Sequence, residues 1–487
     1  MKDTQASIKK VMIVFAFLLL ALITYIAYFQ AFKAPAIAEK PENQRLWAER
    51  NKVLRGTIYD RNMTALTESK KTGTLTQERK YVYGSLYSHV LGYSNEKYGL
   101  SGLEYLYDKD LRSYDKISAS INSVLNKLNI KEVFNNRTSQ GEEAIGNSLV
   151  TSLDTNIQTT AWQALGNRKG AVVVLDPKTG EIVASVSNPA FDPNNLDKAM
   201  QTANSGASSG FPLINRAVSG MYAPGSTFKI VTLTSALENI PGVTSRTFQD
   251  NGKIDFPDGS KLWNLNHNVY GSLSLKTALA YSSNVVFGTL AMELGNDKLK
   301  KTAEDFGFNK SLPSDGIAFN KSAFPTLNSS EKGSIAQTGI GQSSILASPL
   351  QMALVVSAVA NNGIMMEPKL VNKVVDKNGK TVREIQSKQI ANPISSGDDA
   401  IIKDYMKSLV DGRINRDWGV FKGLNAAGKT GTAETSDANA DPHSWFIGFA
   451  PVDNPKYAIA VIVENGGAGG GVAAQIAGSV LKASLGQ

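Results

Sequence analysis

Apolar and polar positions along this chain change texture three times. Val11–Phe29 is a run of 19 residues without a charge. At 1.5 Å per residue, a helix of that length spans a hydrocarbon core of ~30 Å. Lys2, Lys9 and Lys10 precede the run, and Lys33 and Lys40 follow it, a modest positive-inside asymmetry. A cleaved signal peptide is the competing reading, with small residues at Ala34, Ala36 and Ala38. Its apolar region is usually shorter, about 7–15 residues. Residues 11–29 are therefore read as an uncleaved membrane anchor, with residues 1–10 cytoplasmic. No second apolar run is long enough to span, which places the remainder on the extracytoplasmic face.

Residues 30–150 are polar and irregular and read as a small extended pedestal. Arg55–Asn62 has the pattern of a short strand ending in a turn. Tyr98–Leu111 has helical spacing, with Leu103, Leu106, Tyr107 and Leu111 on one face. Asn122–Arg137 reads as a loop-linked pair of short elements.

From Leu149 the texture becomes that of a globular domain, assigned to residues 151–487. Asp154 is placed to cap a helix through Ile157, Ala161 and Leu165. Ala171–Leu175 is a β-branched apolar run, Asp176–Gly180 is turn chemistry, and Glu181–Val186 alternates as a returning strand. Ser444–Ala450 and Tyr457–Val463 read as two more strands, followed by a final helix over about 472–485. Helical segments lie between, at Lys229–Asn239, Leu275–Glu293 and Pro349–Ala360. Strands at both ends with helices between them predict an α+β fold, an antiparallel sheet with helices on its faces.

Composition narrows the chemistry. The 487 residues include no cysteine, which removes disulfides and thiol catalysis. The three histidines, His89, His267 and His443, form no metal-ligand spacing, and no GxSxG elbow accompanies any serine; each histidine is read as structural. The net charge of +8 comes without a basic block or basic-aromatic stripe, so a nucleic-acid partner is not indicated. No metal or cofactor is called for.

What remains is a set of serine and lysine motifs. SxxK occurs six times, at Ser7, Ser94, Ser113, Ser226, Ser329 and Ser479. Only Ser226 follows a Pro-Gly pair and opens an apolar helical run. There the serine meets the positive end of a helix dipole, and Lys229 falls on the same face. Burial of Lys229 would lower its pKa and make it a base near neutral pH. Ser282-Ser283-Asn284 interrupts a helical stretch with three mediocre helix formers, either a functional break or a plain polar face. Lys-Thr-Gly-Thr occurs at Lys71 and Lys429. The first lies upstream of any nucleophile and reads as a decoy, and Lys178-Thr179-Gly180 is the hairpin turn. The second, Lys429-Thr430-Gly431-Thr432, precedes a strand, and Gly431 would let a ligand backbone approach closely. The glycine-rich 466–471 stretch lacks phosphate-loop spacing and reads as a strand-to-helix connection.

The ordered set SxxK, SxN, KTG resembles that of the penicillin-binding proteins and serine β-lactamases. Arg55–Asn62 resembles the RGxIxDRN signature of the class B penicillin-binding proteins. His89–Tyr93 and Gly102–Glu104 are similar to that family's pedestal motifs, and Gly180–Ala184 and Ser444–Phe449 to its transpeptidase sheet. Ala223 stands where the family often has proline. The resemblance implies a β-lactamase/transpeptidase-like sheet flanked by helices. It implies a D,D-transpeptidase that cross-links peptidoglycan stem peptides and is trapped by β-lactams as a Ser226 ester. It implies roles for Ser226 as nucleophile, Lys229 as base, and Ser282 and Lys429 in passing the proton to the leaving group. Asn284 would hold the donor amide, and Thr430, Gly431 and Thr432 the substrate's terminal carboxylate region. The backbone N–H groups of Ser226 and Thr432 would form an oxyanion hole. A membrane-embedded glycan polymerase of the SEDS family is the implied partner. Competing readings are a β-lactamase, for which no deacylating glutamate is evident, a bifunctional class A enzyme, for which 30–150 is too short, a D,D-carboxypeptidase and a catalytically idle binding scaffold.

Overall fold

A computed structural model describes residues 2–34, 44–113, 144–206, 210–435, 437 and 439–487. The expectation for Asn122–Arg137 lies outside the described residues. An N-terminal helix, Lys2–Tyr28, continues through a π turn at Phe29–Lys33. Its apolar side chains are exposed, and by length and composition it suffices to cross a membrane.

The core of the molecule is a five-stranded, fully antiparallel sheet. Its order is Ala427–Ala433, His443–Ala450, Tyr457–Val463, Gly170–Leu175, Ile182–Asn188. Strands from the two ends of the domain thus meet at its centre. Helices cover both faces. On one, Thr155–Leu165 and Gly471–Ser484 pack on Val172, Val174, Phe446, Ile459 and Val461. On the other, the wholly buried helix Pro349–Ala360 lies over Ala171, Val173, Ala460 and Ile462. Double coverage explains why Gly170–Leu175 is a continuous apolar run. It also corrects the alternation expected for Glu181–Val186. Ser185 and Ser187 do not face water; Gln158 Oε1 accepts from the Ser185 N–H at 2.8 Å, and Ser187 Oγ accepts from the Arg216 N–H at 2.9 Å. Asp154 caps its helix as its position predicts, accepting from the Asn156 and Ile157 amides.

Two helical expectations change. Tyr98–Leu111 is not one helix but two short ones, Gly102–Leu106 and Asp108–Arg112, joined at Tyr107. Gly99–Leu100 is spent pairing with Ser94–Asn95. Leu103, Tyr107 and Leu111 are buried, but Leu106 is 45% exposed. Leu275–Glu293 is also two helices, Leu275–Tyr281 and Asn284–Asp305, broken at Ser282-Ser283.

The N-terminal region is tied to the large domain through a second sheet. Ile58–Tyr59 runs parallel to Ser148–Thr151, which pairs in turn with Val371–Val375. At its heart Arg55 binds Glu104 and Asp108 at 2.5 and 2.6 Å, and Arg79 reaches the other oxygen of Glu104 at 2.8 Å.

Candidate active site

Ser226 lies in a single 3₁₀ turn, Gly225–Phe228, that feeds the helix Lys229–Asn239. Gly225 has φ of +53°, and a Cβ there would stand 2.3 Å from the Thr432 carbonyl oxygen. Only glycine allows the Gly225–Phe228 turn to rest against the edge strand Ala427–Ala433. Gly431 answers from the strand side, where a Cβ would meet Thr227 Cγ2 at 2.9 Å and Pro224 O at 3.1 Å. The missing side chain of Gly431 thus makes room for the protein's own turn.

The second motif is a helix break. Ser282 takes a left-handed conformation, φ 57° and ψ 40°, which ends Leu275–Tyr281. Ser283 caps the next helix, its Oγ accepting from Val286 N–H at 3.0 Å. This geometry presents Ser282 and Asn284 to two lysines. Lys229 Nζ donates to Ser282 O at 2.7 Å and Asn284 Oδ1 at 2.8 Å, and lies 3.2 Å from Ser282 Oγ. Lys429 Nζ lies 2.9 Å from the same Oγ and 2.8 Å from its own strand's Thr430 O. Ser282 Oγ therefore bridges two ammonium-bearing side chains, both fully buried. A hydroxyl placed so can accept from one nitrogen and donate to the other only when the second is neutral.

Electrostatics favour that neutral state. Burial, then the charges of Lys429 and Arg413, pushes Lys229 well below the ordinary lysine value, with Asp250 opposing. Burial and Arg413 do the same for Lys429. Among the described residues no hydrogen bond joins Ser226 Oγ to Lys229 Nζ; the lysine is held by the second motif. Catalytic hydrogen bonds often close only in the substrate complex.

Ser226, Ser282, Asn284, Thr430 and Thr432 all line one cleft of about 900 Å³. Lys229, Lys429 and Gly431 lie behind its wall. Asn284 is tied at both ends, its Nδ2 donating to Trp263 O at 2.7 Å. The other SxxK serines stand elsewhere: Ser7 is on the N-terminal helix, and Ser479 bonds its own helix at Gln475 O. Lys71 lies in the hairpin Thr67–Gly73/Thr76–Tyr81 and donates to Asn51 O.

Several residues of the site escaped sequence reasoning. Arg413, from the π turn Val410–Ile414, lines the cleft. Two histidines do too: His267 stacks on Trp263 at 4.3 Å, and His443 sits edge-on to Tyr222, its Nδ1 accepting from Asn465 N–H at 3.1 Å. His89 is remote, buried against Phe191 and Pro212 O, and its pKa is pushed down to about 4 by burial. Beneath the second motif lie Asp250 and Asn264, whose only sequence signal is the turn chemistry of Asp250-Asn251-Gly252.

The penicillin binding protein transpeptidase domain matches residues 170–482, and the penicillin binding protein A dimerisation domain matches residues 55–142. This chain belongs to the penicillin-binding protein transpeptidase family, in its class B group. It is 30% identical over 507 aligned positions to the peptidoglycan D,D-transpeptidase PbpA of Mycolicibacterium smegmatis, covering 99% of each chain. It is also 30% identical to MrdA of Acinetobacter baumannii, across 82% of this chain and 65% of that one. Among solved structures, penicillin-binding protein A of M. tuberculosis as a ceftriaxone acyl-enzyme superposes with a TM-score of 0.80 at 29% identity, covering 90% of this chain and 100% of that chain. The D,D-transpeptidase domain of a peptidoglycan glycosyltransferase from Eggerthella lenta gives 0.77 at 32% identity, with 89% and 99% covered.

Proposed function

We propose that this chain cross-links peptidoglycan stem peptides through an acyl-enzyme on Ser226. The observation that carries the reading is Ser282 Oγ bridging two buried lysines beside Ser226, at the cleft where SxxK, SxN and KTGT converge. The enzyme is a serine-type peptidoglycan D,D-transpeptidase. Ser226 Oγ attacks the D-Ala-D-Ala carbonyl while its proton passes to neutral Lys229 Nζ. The developing oxyanion is held by the N–H groups of Ser226 and Thr432, each donor of that kind contributing about 3–4 kcal/mol. The C–N bond breaks as Lys429, through Ser282, protonates the leaving D-alanine. Asn284 orients the donor amide, and the Thr430 and Thr432 hydroxyls take the terminal carboxylate, with Gly431 keeping the strand against the nucleophile turn. An amine on a second stem peptide then attacks the ester, its proton passing through Ser282 to Lys429, and Ser226 leaves as Lys229 returns its proton. A β-lactam follows the same first step, but its leaving nitrogen stays tethered and the ester persists.

The N-terminal helix serves as a single-pass anchor in the plasma membrane, with the catalytic domain on the extracytoplasmic face. The region up to residue 150 is a pedestal that, with the anchor, meets a SEDS-family glycan polymerase in the membrane. The test is to incubate the full chain in detergent with a fluorescent penicillin, alongside Ser226→Ala. A stable adduct lost in the variant is the expected result. Rapid drug hydrolysis would instead mark a β-lactamase, and no adduct in folded wild-type protein would leave a binding scaffold.

A further inference from the structure

Below the second motif sits a buried carboxylate that the mechanism above leaves unused. Asp250 ends the strand Thr247–Asp250 and is fully buried, and among the described residues it forms no ion pair. It accepts instead from Ser283 Oγ at 2.5 Å, from Gly252 N–H at 2.8 Å, and from Asn264 Nδ2 at 2.7 and 2.9 Å to its two oxygens. The Ser283 hydroxyl already accepts from Val286 N–H, so its proton points at Asp250. Both oxygens of Asp250 thus face donors.

Asn264, 2% exposed, carries the arrangement to the catalytic motif. Its Oδ1 accepts from Asn284 N–H at 2.7 Å and Val285 N–H at 3.2 Å, two of the orphan donors of the helix that starts at Asn284. Its Nδ2 also donates to Asn268 O at 2.9 Å. Ser283 and Asn284, the two residues that follow Ser282, are therefore each anchored to this pair. The left-handed turn of Ser282 is a strained position for a residue with a side chain, and such positions persist only where surroundings over-determine them.

We propose that Asp250 and Asn264 are positioning residues for acyl transfer: they hold the Ser282 turn against the two lysines. The reading rests on Lys229 acting as the base. The charged groups that face Lys229 are Lys429 from the edge strand, Arg413 from the π turn and Asp250 from below, and Asp250 alone among them favours the protonated form. Lys429 is faced by Arg413. Asp250 is therefore the one group facing Lys229 that opposes loss of its proton.

The decisive experiment is the pH profile of penicillin acylation by the full chain in detergent, for wild type, Asp250→Asn and Asn264→Ala. Loss of the anion lowers the lysine pKa further, so the acid limb of Asp250→Asn should move to lower pH. Asn264→Ala keeps the charge and loses the anchor. Its plateau rate should fall about tenfold or more with the acid limb in place. An Asp250→Asn limb that coincides with wild type overturns the charge assignment. An Asn264→Ala plateau within about twofold of wild type overturns the positioning role, and this decides the matter even if Asp250→Asn does not fold. A wild-type chain that forms no Ser226 adduct removes the underlying catalytic reading as well, an outcome distinct from both.

Discussion

Lys229 and Lys429 are each fully buried with no carboxylate within ion-pair distance among the described residues, an arrangement that costs stability. Both have pKa values well below the ordinary 10.5, first because burial disfavours the ammonium. Between the depressed folded value and 10.5 the unfolded chain binds more protons than the folded one, so stability rises with pH across that window. Lys429→Met should abolish penicillin acylation, keep a melting temperature no lower than wild type near pH 7, and flatten the rise in Tm between about pH 7 and 9. Thermal melts at several pH values check this; a strongly lowered Tm at pH 7 would mean the lysine holds the fold rather than the proton. Such burial was only conditional in the sequence, since SxxK spacing places Lys229 on the serine's face without saying what covers it.

At the scale of elements, the site exists where three backbone devices meet: a 3₁₀ turn, a helix break and a sheet edge. Their contact depends on missing side chains at Gly225 and Gly431. Gly431→Ala requires no forbidden backbone angle but drives a methyl group against Thr227 Cγ2 and Trp445 Cβ, each 2.9 Å away. Overpacking of this kind costs about 1–3 kcal/mol. It should separate the strand from the Gly225–Phe228 turn and slow acylation at least about tenfold, because a misplacement near 1 Å can cost a hundredfold. Stopped-flow acylation with a circular-dichroism melt distinguishes this from global unfolding. Helix caps and hairpins, such as Asp154 and Asp176–Gly180, were legible from local chemistry. The break at Ser282 was visible only as an oddity of composition, and its left-handed form required the Asp250–Asn264 anchor contributed by another segment.

Across the whole molecule, the N-terminal region and the catalytic domain are joined by Ile58–Tyr59 pairing on Ser148–Thr151 and by the buried Arg55–Glu104–Arg79 cluster. Burial pushes the Glu104 carboxyl up, and Arg55 and Arg79 outweigh it, leaving its pKa below the usual value of 4.5. Its stabilising contribution is therefore present above the ordinary carboxylate range and is lost as pH falls through the lower folded value. Glu104→Gln leaves two buried guanidinium groups short of charge and should cost about 3–5 kcal/mol. Limited proteolysis should then cut residues 44–113 first while the transpeptidase domain matched over residues 170–482 retains penicillin binding. Simultaneous loss of both would show that the two regions fold as one unit.

By itself the sequence determined the order of the three motifs, the apolar N-terminal run, the hairpins and caps, and the α+β class. Each of these rests on spacing or on chemistry within a few residues. Tertiary structure alone decided that Ser226, Ser282 and Thr432 share one cleft, that Ser282 Oγ bridges two lysines, and that Arg413, Asp250 and Asn264 belong to the site. Those facts depend on segments between 20 and 147 residues apart being brought together, and on which groups are left without water once the fold closes. Periodicity along a chain carries no record of either.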